Sequence, residues 1–178
     1  MFVIKARQDG VTLMETIVCL TLMAGLAAWS APSINRTLTN SLINSERQAL
    51  AQDLRLIRRF ALTRHRPAYL CAMDKEAKCS KDANWNDGWI GYVDRNYSHS
   101  IDEGDEVVMT HRRQRDKKIE IFLHARWQRI KFNSSGVVRS SGHFRVCNTR
   151  ETGKQAMKVI RMNVHGRLSV EQDKLECD

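Results

Sequence analysis

At 178 residues the chain has room for one compact domain and an appendage, and its 29 Lys and Arg against 20 Asp and Glu give a formal net charge of +9. This excess favours anionic partners, such as nucleic acid, lipid headgroups or an acidic protein face, and does not determine the fold. The sequence has no Ser-His-Asp order, no phosphate-binding glycine loop and no metal-hydrolase motif, so it predicts a protein that is not an enzyme and has no cofactor.

The first strong feature along the chain is an apolar block over 11–31, VTLMETIVCLTLMAGLAAWSA. It has about the length that a helix needs to cross a bilayer. Lys5 and Arg7 precede it, so the positive-inside rule predicts a cytoplasmic N-terminus and an exported remainder. A secretory signal would place its small cleavage-site residue after the apolar stretch, whereas here Gly10 stands before it. We therefore expect a single transmembrane segment over 11–31.

Glu15 is an ionisable residue inside this apolar block, where an acid near the bilayer centre costs about 2.5–3.5 kcal/mol. It therefore needs a partner, unless its carboxylate reaches the headgroups at the helix end. The string Gly10-Val11-Thr12-Leu13-Met14-Glu15 resembles the processing site of type IV prepilins and type II secretion pseudopilins, although that family usually has Phe in place of Val11. The resemblance implies cleavage after Gly10 by a prepilin peptidase and N-methylation of Val11. It also implies that Glu15 meets the N-terminal amine of a neighbouring subunit during assembly.

The helix is expected to continue well beyond the apolar block. No Gly or Pro interrupts 34–64, and apolar residues repeat there at helical spacing. A helix from Val11 to about Arg64 would be roughly 80 Å long, and Pro67 would end it. Pro32 stands where pilin helices often carry a proline that bends or locally melts them. The side expected to pack on a globular head carries Leu50, Leu54 and Ile57. The side expected to face outward carries Arg55, Arg58 and Arg59.

After Pro67, short runs rich in β-branched and aromatic residues alternate with turn residues. Many short strands without intervening helices predict an α+β fold, in which a small antiparallel sheet or sandwich packs on the second half of the helix. The predicted organisation is a leader over 1–10, a helix over 11–66 and a β-rich periplasmic head over 67–178. The seven predicted strands cover 68–73, 88–94, 106–111, 118–125, 129–133, 143–148 and 157–164.

The five cysteines fit an exported head. Cys19 lies in the apolar block, where a lone thiol acts as a small hydrophobic residue. The other four lie in the exported part, and an even number of cysteines in an oxidising compartment indicates two disulfides. Three connectivities are possible. We favour Cys71 with Cys79 as a local loop, and Cys147 with Cys177 at the C-terminal tail.

Two kinds of metal site compete with these interpretations. A structural zinc site is disfavoured because the sequence has no Cys-x-x-Cys pair and its six histidines are scattered. The oxygen-bearing residues Asp94, Asn96 and Ser98 have the alternate spacing of a calcium loop, but His99 and Asp105 replace the glycine and the glutamate of that motif. A plain turn is therefore favoured, and no metal is expected.

The head also carries a family pattern. Its residues over 71–108 and 132–167 resemble the head of the GspH/FimT class of minor pilins and pseudopilins, and with the processing site this resemblance covers most of the chain. It implies a minor type IV pilin of the inner membrane of a Gram-negative bacterium, which assembles with other major and minor pilins and helps to prime the pilus. The alternative is an H-type pseudopilin of type II secretion, which acts in protein export without binding DNA. The pattern is carried by Cys71, Cys79, Trp85, Gly88, Trp89, 94–96, 104–108, Phe132, Asn133, Gly136, Phe144, Cys147 and 164–167.

FimT-type members of this class bind DNA through a C-terminal Gly-Arg-x-Arg motif. The matching residues here are Gly166, Arg167, Leu168 and Ser169, so the second arginine is replaced by serine. The resemblance implies that Gly166 and Arg167 contact double-stranded DNA without sequence preference. The competing interpretation is a turn in which Gly166 supplies a positive φ and Arg167 points outward.

A dense basic run is the second candidate for DNA contact. Phosphate contacts from such a run give sequence-independent binding that weakens steeply with salt. The competing interpretation is a solvated face that prevents edge-to-edge strand pairing. Stacking of bases on aromatic side chains is not indicated, because Trp85, Trp89 and Trp127 are expected in the core. The candidate cations are Arg112, Arg113, Arg115, Lys117 and Lys118.

Overall fold

The computed structural model describes residues 10–80, 84–113, 119–125, 128–138, 142–148 and 157–171, and only the backbone within 29–36. The chain divides into two compact units, Met1–Thr39 and Asn40–Asp178. One long helix, α1 (Leu13–Arg64), is followed by eight strands, so the predicted α+β fold is confirmed. The strands are β1 (Ala68–Ala72), β2 (Gly88–Val93), β3 (Glu106–Arg112), β4 (Ile119–Ala125), β5 (Arg129–Phe132), β6 (Gly142–Asn148), β7 (Met157–Met162) and β8 (Leu168–Glu171).

The helix has a defined cap at each end. Thr12 Oγ1 accepts a hydrogen bond of 3.3 Å from the backbone N–H of Glu15, which is the geometry of an N-cap residue. At the other end His65 adopts a φ of 52°, and the N–H of Arg66 donates to the carbonyl of Ala61 at 3.3 Å. A left-handed residue followed by a hydrogen bond from an N–H to the carbonyl five residues earlier is a Schellman motif. This motif satisfies carbonyl groups that the end of the helix leaves without a partner.

In the first unit, every side chain from Gly10 to Ala28 is exposed. The helical backbone continues through Pro32, so the expected local melting does not occur. No helix in the described part of the chain is long and apolar enough to cross a membrane. The transmembrane segment over 11–31 stays a prediction. The large apolar side chains that this unit exposes are Val11, Leu13, Met14, Ile17, Val18, Leu20, Leu22, Met23, Leu26 and Leu38.

The second unit contains two four-stranded antiparallel sheets. The first has the strand order β3-β2-β1-β5 and the second has the order β4-β6-β7-β8. Most pairs join strands that are neighbours in the sequence, but β5 returns to the first sheet to pair with β1, and β6 crosses back to pair with β4. The chain therefore passes between the sheets three times, after β3, after β4 and after β5.

The core of the second unit lies between α1 and the two sheets. Leu50, Leu54 and Ile57 are fully buried, so the predicted packing of this helix face on the head is confirmed. Trp85 and Trp89 are also buried as predicted, whereas Trp127 lies outside the described residues. The remaining core is built from Ile43, Ala61, Leu70, Val93, Ile121, Ile130, Phe132, Phe144, Val146 and Ile160, among others.

A polar contact accompanies this packing of the helix on the first sheet. The indole Nε1 of Trp89 donates a hydrogen bond of 2.8 Å to Asp53 Oδ2. Burial raises the pKa of Asp53, and the hydrogen bond from Trp89 and the nearby His111 oppose that rise. The bond gives a buried indole N–H the partner that it needs.

The disulfide predicted between Cys71 and Cys79 is confirmed, with 5.5 Å between the two Cα atoms. It joins the end of β1 to a short loop, and Met73 and Cys79 also form an isolated β-bridge. Cys147 is buried and disulfide-bonded, but Cys177 lies outside the described residues, so the pairing of these two cysteines stays a prediction. Cys19 is free and exposed.

Candidate nucleic-acid interface

The turn between β7 and β8 carries the predicted Gly166-Arg167 pair. Gly166 has a φ of 70°, and its N–H donates to the carbonyl of Asn163 at 2.9 Å. The side-chain Oδ1 of Asn163 accepts a hydrogen bond of 2.9 Å from the N–H of Arg167. The structure thus contains the turn of the competing interpretation, with Gly166 at a positive φ, and the Arg167 side chain is exposed.

A second turn of the same kind lies against the first. Gly136 also has a φ of 70°, and its N–H donates to the carbonyl of Asn133 at 2.9 Å. Asn133 Oδ1 accepts the N–H of Val137 at 2.9 Å, which repeats the side-chain bond of the β7–β8 turn. The N–H of Val138 donates to the carbonyl of Val164 at 2.9 Å and joins the two turns. Because one turn follows β5 and the other follows β7, this contact links the two sheets.

Arg58 of α1 fastens both turns to the helix. Its Nε donates a hydrogen bond of 3.0 Å to the carbonyl of Gly136. A Cβ atom at Gly166 would lie 2.7 Å from that same carbonyl oxygen and 2.9 Å from Arg58 Nε, so only glycine fits at this position. The prediction that Arg58 faces outward is wrong, since its side chain is half-buried beneath the turns. Arg55 and Arg59 are exposed as predicted.

The outer face of the second sheet carries a row of polar residues next to Arg167. His124, His143, Arg161 and Ser169 are direct neighbours on four successive strands, and they alternate with the core residues of those strands. With Arg167 they line a cavity of about 620 Å³. Sequence reasoning missed this row because only the strand register brings its members together.

The two imidazoles in this row are stacked, with their ring centroids 5.0 Å apart. Arg145 Nε donates to His124 Nε2 at 2.8 Å. Burial, and secondarily the charge of Arg145, lower the pKa of His124. The neutral form of the His124 ring is therefore favoured, whereas Arg161 and Arg167 bring permanent positive charges to this face.

The basic run predicted to contact DNA is divided by the structure. Arg112 is exposed at the end of β3, whereas Arg115, Lys117 and Lys118 lie outside the described residues. Arg113 corrects the prediction, because its side chain is only 1% exposed and pairs with Glu46 Oε2 at 2.9 Å. Its guanidinium also donates to the carbonyls of Asn86 and Ile119, both at 3.2 Å. A buried and paired guanidinium is not available to a phosphate, so Arg113 is a structural residue.

The structure does not bring Arg112 near the β7–β8 turn. Arg112 pairs with Gly88 at one end of the first sheet. The turn at Gly136 follows β5 at the other end and on the opposite edge, where Phe132 pairs with Ala68. From the strand spacing and the rise per residue, the distance between Arg112 and this turn is roughly 20 Å. The two basic regions predicted from the sequence are therefore separate surfaces.

Comparison with known proteins places this fold in a family. The sequence matches the profile of the family described as Type II transport protein GspH over residues 46–166, which is more than half of the chain. This protein belongs to the GspH family. The predicted resemblance to the GspH/FimT class of minor pilins and pseudopilins is thus confirmed. No curated protein sequence matches the chain.

Solved structures show the same fold for the GspH-family head. Two crystal structures of the type IV minor pilin FimU from Pseudomonas aeruginosa (strain PAO1) are similar to it, and both are 17% identical in sequence. The structure in space group P21 has a TM-score of 0.56 and covers 74% of this chain and 89% of FimU. The structure in space group P65 has a TM-score of 0.54 and covers 72% of this chain and 91% of FimU.

The oxygen-rich loop after β2 of this GspH-family protein is held by its own polar groups. The fully buried Asp94 accepts the N–H of His99 at 3.1 Å, and Asp105 Oδ1 accepts the N–H of Arg95 at 3.0 Å. Hydrogen bonds, chiefly from the Asn96 side chain, lower the pKa of Asp102. No group of three candidate metal ligands occurs among the residues that the structure describes.

At the C-terminal end of α1, two arginines of the GspH-family head bind one carboxylate. Glu106 lies 2.8 Å from Arg64 and 2.8 Å from Arg95, one contact through each carboxylate oxygen. These hydrogen bonds lower the pKa of Glu106. Arg66 lies over the ring of Tyr97, 5.0 Å from its centroid. These contacts tie the end of the helix to β3 and to the loop after β2.

The processing and assembly residues lie in the first unit. A Cβ atom at Gly10 would meet no other atom within 4 Å, and the side chain of Val11 is 71% exposed. The Glu15 side chain is exposed, and no cation pairs with it in the described ranges of the chain. Among the residues that the structure describes, no contact therefore requires these residue types.

Proposed function

We propose that this GspH-family protein is a minor pilin of a type IV pilus, cut after Gly10 by a prepilin peptidase and N-methylated at Val11. It is anchored in the inner membrane through 11–31 and then packs this helix against the helices of other pilins, helping to prime the filament. The exposed apolar side chains of the first unit support this proposal, because lipid or neighbouring helices would cover them. Glu15 gains its partner, the N-terminal amine of a neighbour, in the filament.

The head of this pilin contacts double-stranded DNA through its basic surface. The observation that carries this proposal is the position of Arg167, which is exposed on a rigid turn and borders a cavity that Arg161 also lines. Arginines in such a position bind phosphates without reading the base sequence. Arg112 and the cations Arg115, Lys117 and Lys118 remain candidates for a second contact, and Arg113 is excluded from it.

DNA binding by the mature full-length protein in a zwitterionic detergent tests this proposal. Fluorescence anisotropy with a labelled duplex at about 50 and 200 mM salt should show binding that weakens steeply with salt. Arg167→Gln should weaken it. The control is Lys75→Gln, which removes one exposed charge from the disulfide loop at the far end of β1. Absence of binding at about 50 mM salt, where phosphate contacts are strongest, would contradict the DNA role.

The second candidate is an H-type pseudopilin of type II secretion. The description of the matching family as Type II transport protein GspH favours it, as does Ser169 in place of the second arginine. Such a protein needs the same processing and assembly residues but no affinity for DNA. Its gene would stand in a general secretion operon, whereas a minor pilin gene would stand beside other minor pilin genes.

A further inference from the structure

We propose that Arg55 and Arg58 of α1 complete the phosphate-binding surface around Arg167 and supply the positive charge that Ser169 does not. Arg58 touches the turn that carries Arg167, and Arg55 lies three residues earlier on the helix; these three residues are named here the arginine corner. This inference rests on the proposed DNA contact and deepens it, because it places part of the contact on the helix rather than on the strands.

The first support is the contact between Arg58 and the turn that carries Arg167. A Cβ atom at Gly166 would lie 2.9 Å from Arg58 Nε and 3.2 Å from Arg58 Cδ, so the arginine stem touches the turn directly. Only the Nε donor is used on the Gly136 carbonyl. A guanidinium has five N–H donors, and in the described part of the chain no further hydrogen bond uses the terminal amino groups. Arg58 can thus hold the turn and still donate to a phosphate.

The second support is the direction of the helix flank. Leu62 lies one turn after Arg58 and packs against Gly136, where a Cβ atom would lie 3.1 Å from Leu62 Cδ2. Positions 58 and 62 therefore both face the pair of turns. Arg55 lies three residues before Arg58, so its Cβ is about 5–6 Å from that of Arg58 on the same flank. Its side chain is exposed. The flank that faces the turns thus carries Arg58 beside them and the exposed Arg55 three residues earlier.

The third support is the rigidity of the corner. The N–H of Val138 joins the two turns at 2.9 Å, Arg58 joins them to the helix, and Asn163 fixes the backbone of Arg167. Cations on rigid elements lose less conformational freedom on binding than cations on a free loop. DNA carries one negative charge per about 1.7 Å of helix axis, so neighbouring phosphates can be contacted by neighbouring guanidinium groups. The positive charge that Ser169 does not supply then comes from Arg55 and Arg58, which lie outside the motif.

The test measures DNA affinity of the mature full-length protein in detergent, with Arg55→Gln, Arg58→Gln and Arg167→Gln as the variants and Lys75→Gln as the control. Loss of one phosphate contact lowers the slope of log affinity against log salt concentration by about 0.9. Between 50 and 200 mM salt, the affinity of each of the three variants should therefore fall by a factor about 3.5 times smaller than that of the wild type. The control should keep the wild-type slope. Arg55→Lys should restore it, because a lysine also binds phosphate.

A change in the salt slope distinguishes the loss of a phosphate contact from the loss of the folded head. Arg58→Gln also removes the hydrogen bond to the Gly136 carbonyl, so the thermal unfolding midpoint of this variant is measured as well. Arg55 makes no hydrogen bond in the described ranges whose loss could unfold the head. Wild-type slopes in Arg55→Gln and Arg58→Gln, together with a reduced slope in Arg167→Gln, would overturn the arginine corner and leave the DNA role intact. No binding by the wild-type protein would instead overturn the proposed function.

Discussion

The two parts of α1 place their apolar side chains in opposite environments. Over 13–28, apolar residues occupy most positions around the helix, and all of them are exposed. Over 43–61, the buried apolar residues lie on one side of the helix, most of them three, four or seven positions apart, whereas Arg55 and Arg59 are exposed. The first pattern is that of a helix surrounded by apolar material on all sides, and the second is that of a helix packed on a core.

This difference separates what the chain stabilises by itself from what its surroundings must stabilise. Burial of one large apolar side chain contributes about 1.5–3 kcal/mol. In the second part this gain comes from the two sheets of the same chain. In the proposed pilin, the first part obtains this gain from lipid or from other helices, so assembly and folding would use different residues of one helix. Substitutions in the two parts should therefore affect different measurements.

The largest expected effect is on maturation. Gly10→Ala should leave the chain as a longer, uncut precursor in membranes, because the resemblance places cleavage directly after this glycine. Within the described part of the chain no atom lies within 4 Å of the added methyl group, so no steric clash with the described fold is expected. Gly25→Ala is the matched control, since it also meets no atom within 4 Å and should be cut normally. Immunoblotting and N-terminal sequencing measure the outcome, and normal processing of Gly10→Ala would disprove the cleavage site.

A pair of leucine substitutions tests the comparison directly. Leu54→Ala should destabilise the second unit by about 2–5 kcal/mol, because a fully buried side chain is replaced by a cavity. Leu26→Ala should leave this stability unchanged, since its side chain is 68% exposed. Chemical denaturation of the full-length protein in detergent, followed by circular dichroism of the strands, measures both. Equal effects of the two substitutions would contradict the conclusion that only the second part of the helix stabilises the head.

The two glutamates of α1 sharpen the same comparison. Glu46→Gln should cost about 1–3 kcal/mol of stability, because the buried guanidinium of Arg113 loses its charged partner. Glu15→Gln should not change the unfolding transition, since its side chain is exposed, but it should reduce incorporation into filaments. Denaturation measures the first effect and the amount of subunit in sheared filaments measures the second. A destabilised Glu15→Gln variant would contradict the separation.

The smallest effect is expected at the C-terminal end of the helix. Because the pKa of Glu106 is lowered in the folded state, its pairs with Arg64 and Arg95 stabilise the head at pH values above about 4.5, and this contribution is lost as pH falls through the lowered pKa. Glu106→Gln should cost no more than about 1 kcal/mol at pH 7. Denaturation at several pH values should show wild type and variant converging in acid. A constant difference at all pH values would contradict the ionic origin.

The strands of the head could be predicted because their signals are local. Runs of β-branched and aromatic residues between turn pairs predict seven of the eight strands. The strand β8 was not predicted because it has only four residues with two apolar side chains, Leu168 and Val170, and a strand this short is stabilised by its pairing with β7. The sequence leaves a single sheet and a sandwich open and does not predict which strands share a sheet, because β5 pairs with a strand more than 55 residues earlier in the chain.

The positions of individual basic residues could be predicted only in part. Arg167 follows a glycine in a turn, and that local signal predicts its exposure. Arg58 and Arg113 resemble their exposed neighbours in the sequence, and their burial depends on partners 78 and 67 residues away. The cleavage, methylation and DNA-contact roles remain predictions, because they concern partners outside the chain.

The ion pair between Arg113 and Glu46 restricts the substitutions that homologues can tolerate at these two positions. In a surface run of basic residues, single charges can be lost, gained or moved with little effect on the fold. Arg113 does not share this freedom, because its side chain is enclosed between the helix, the loop at Asn86 and the start of β4. We expect positions 46 and 113 to change together or not at all across homologues, while position 112 changes independently of position 46.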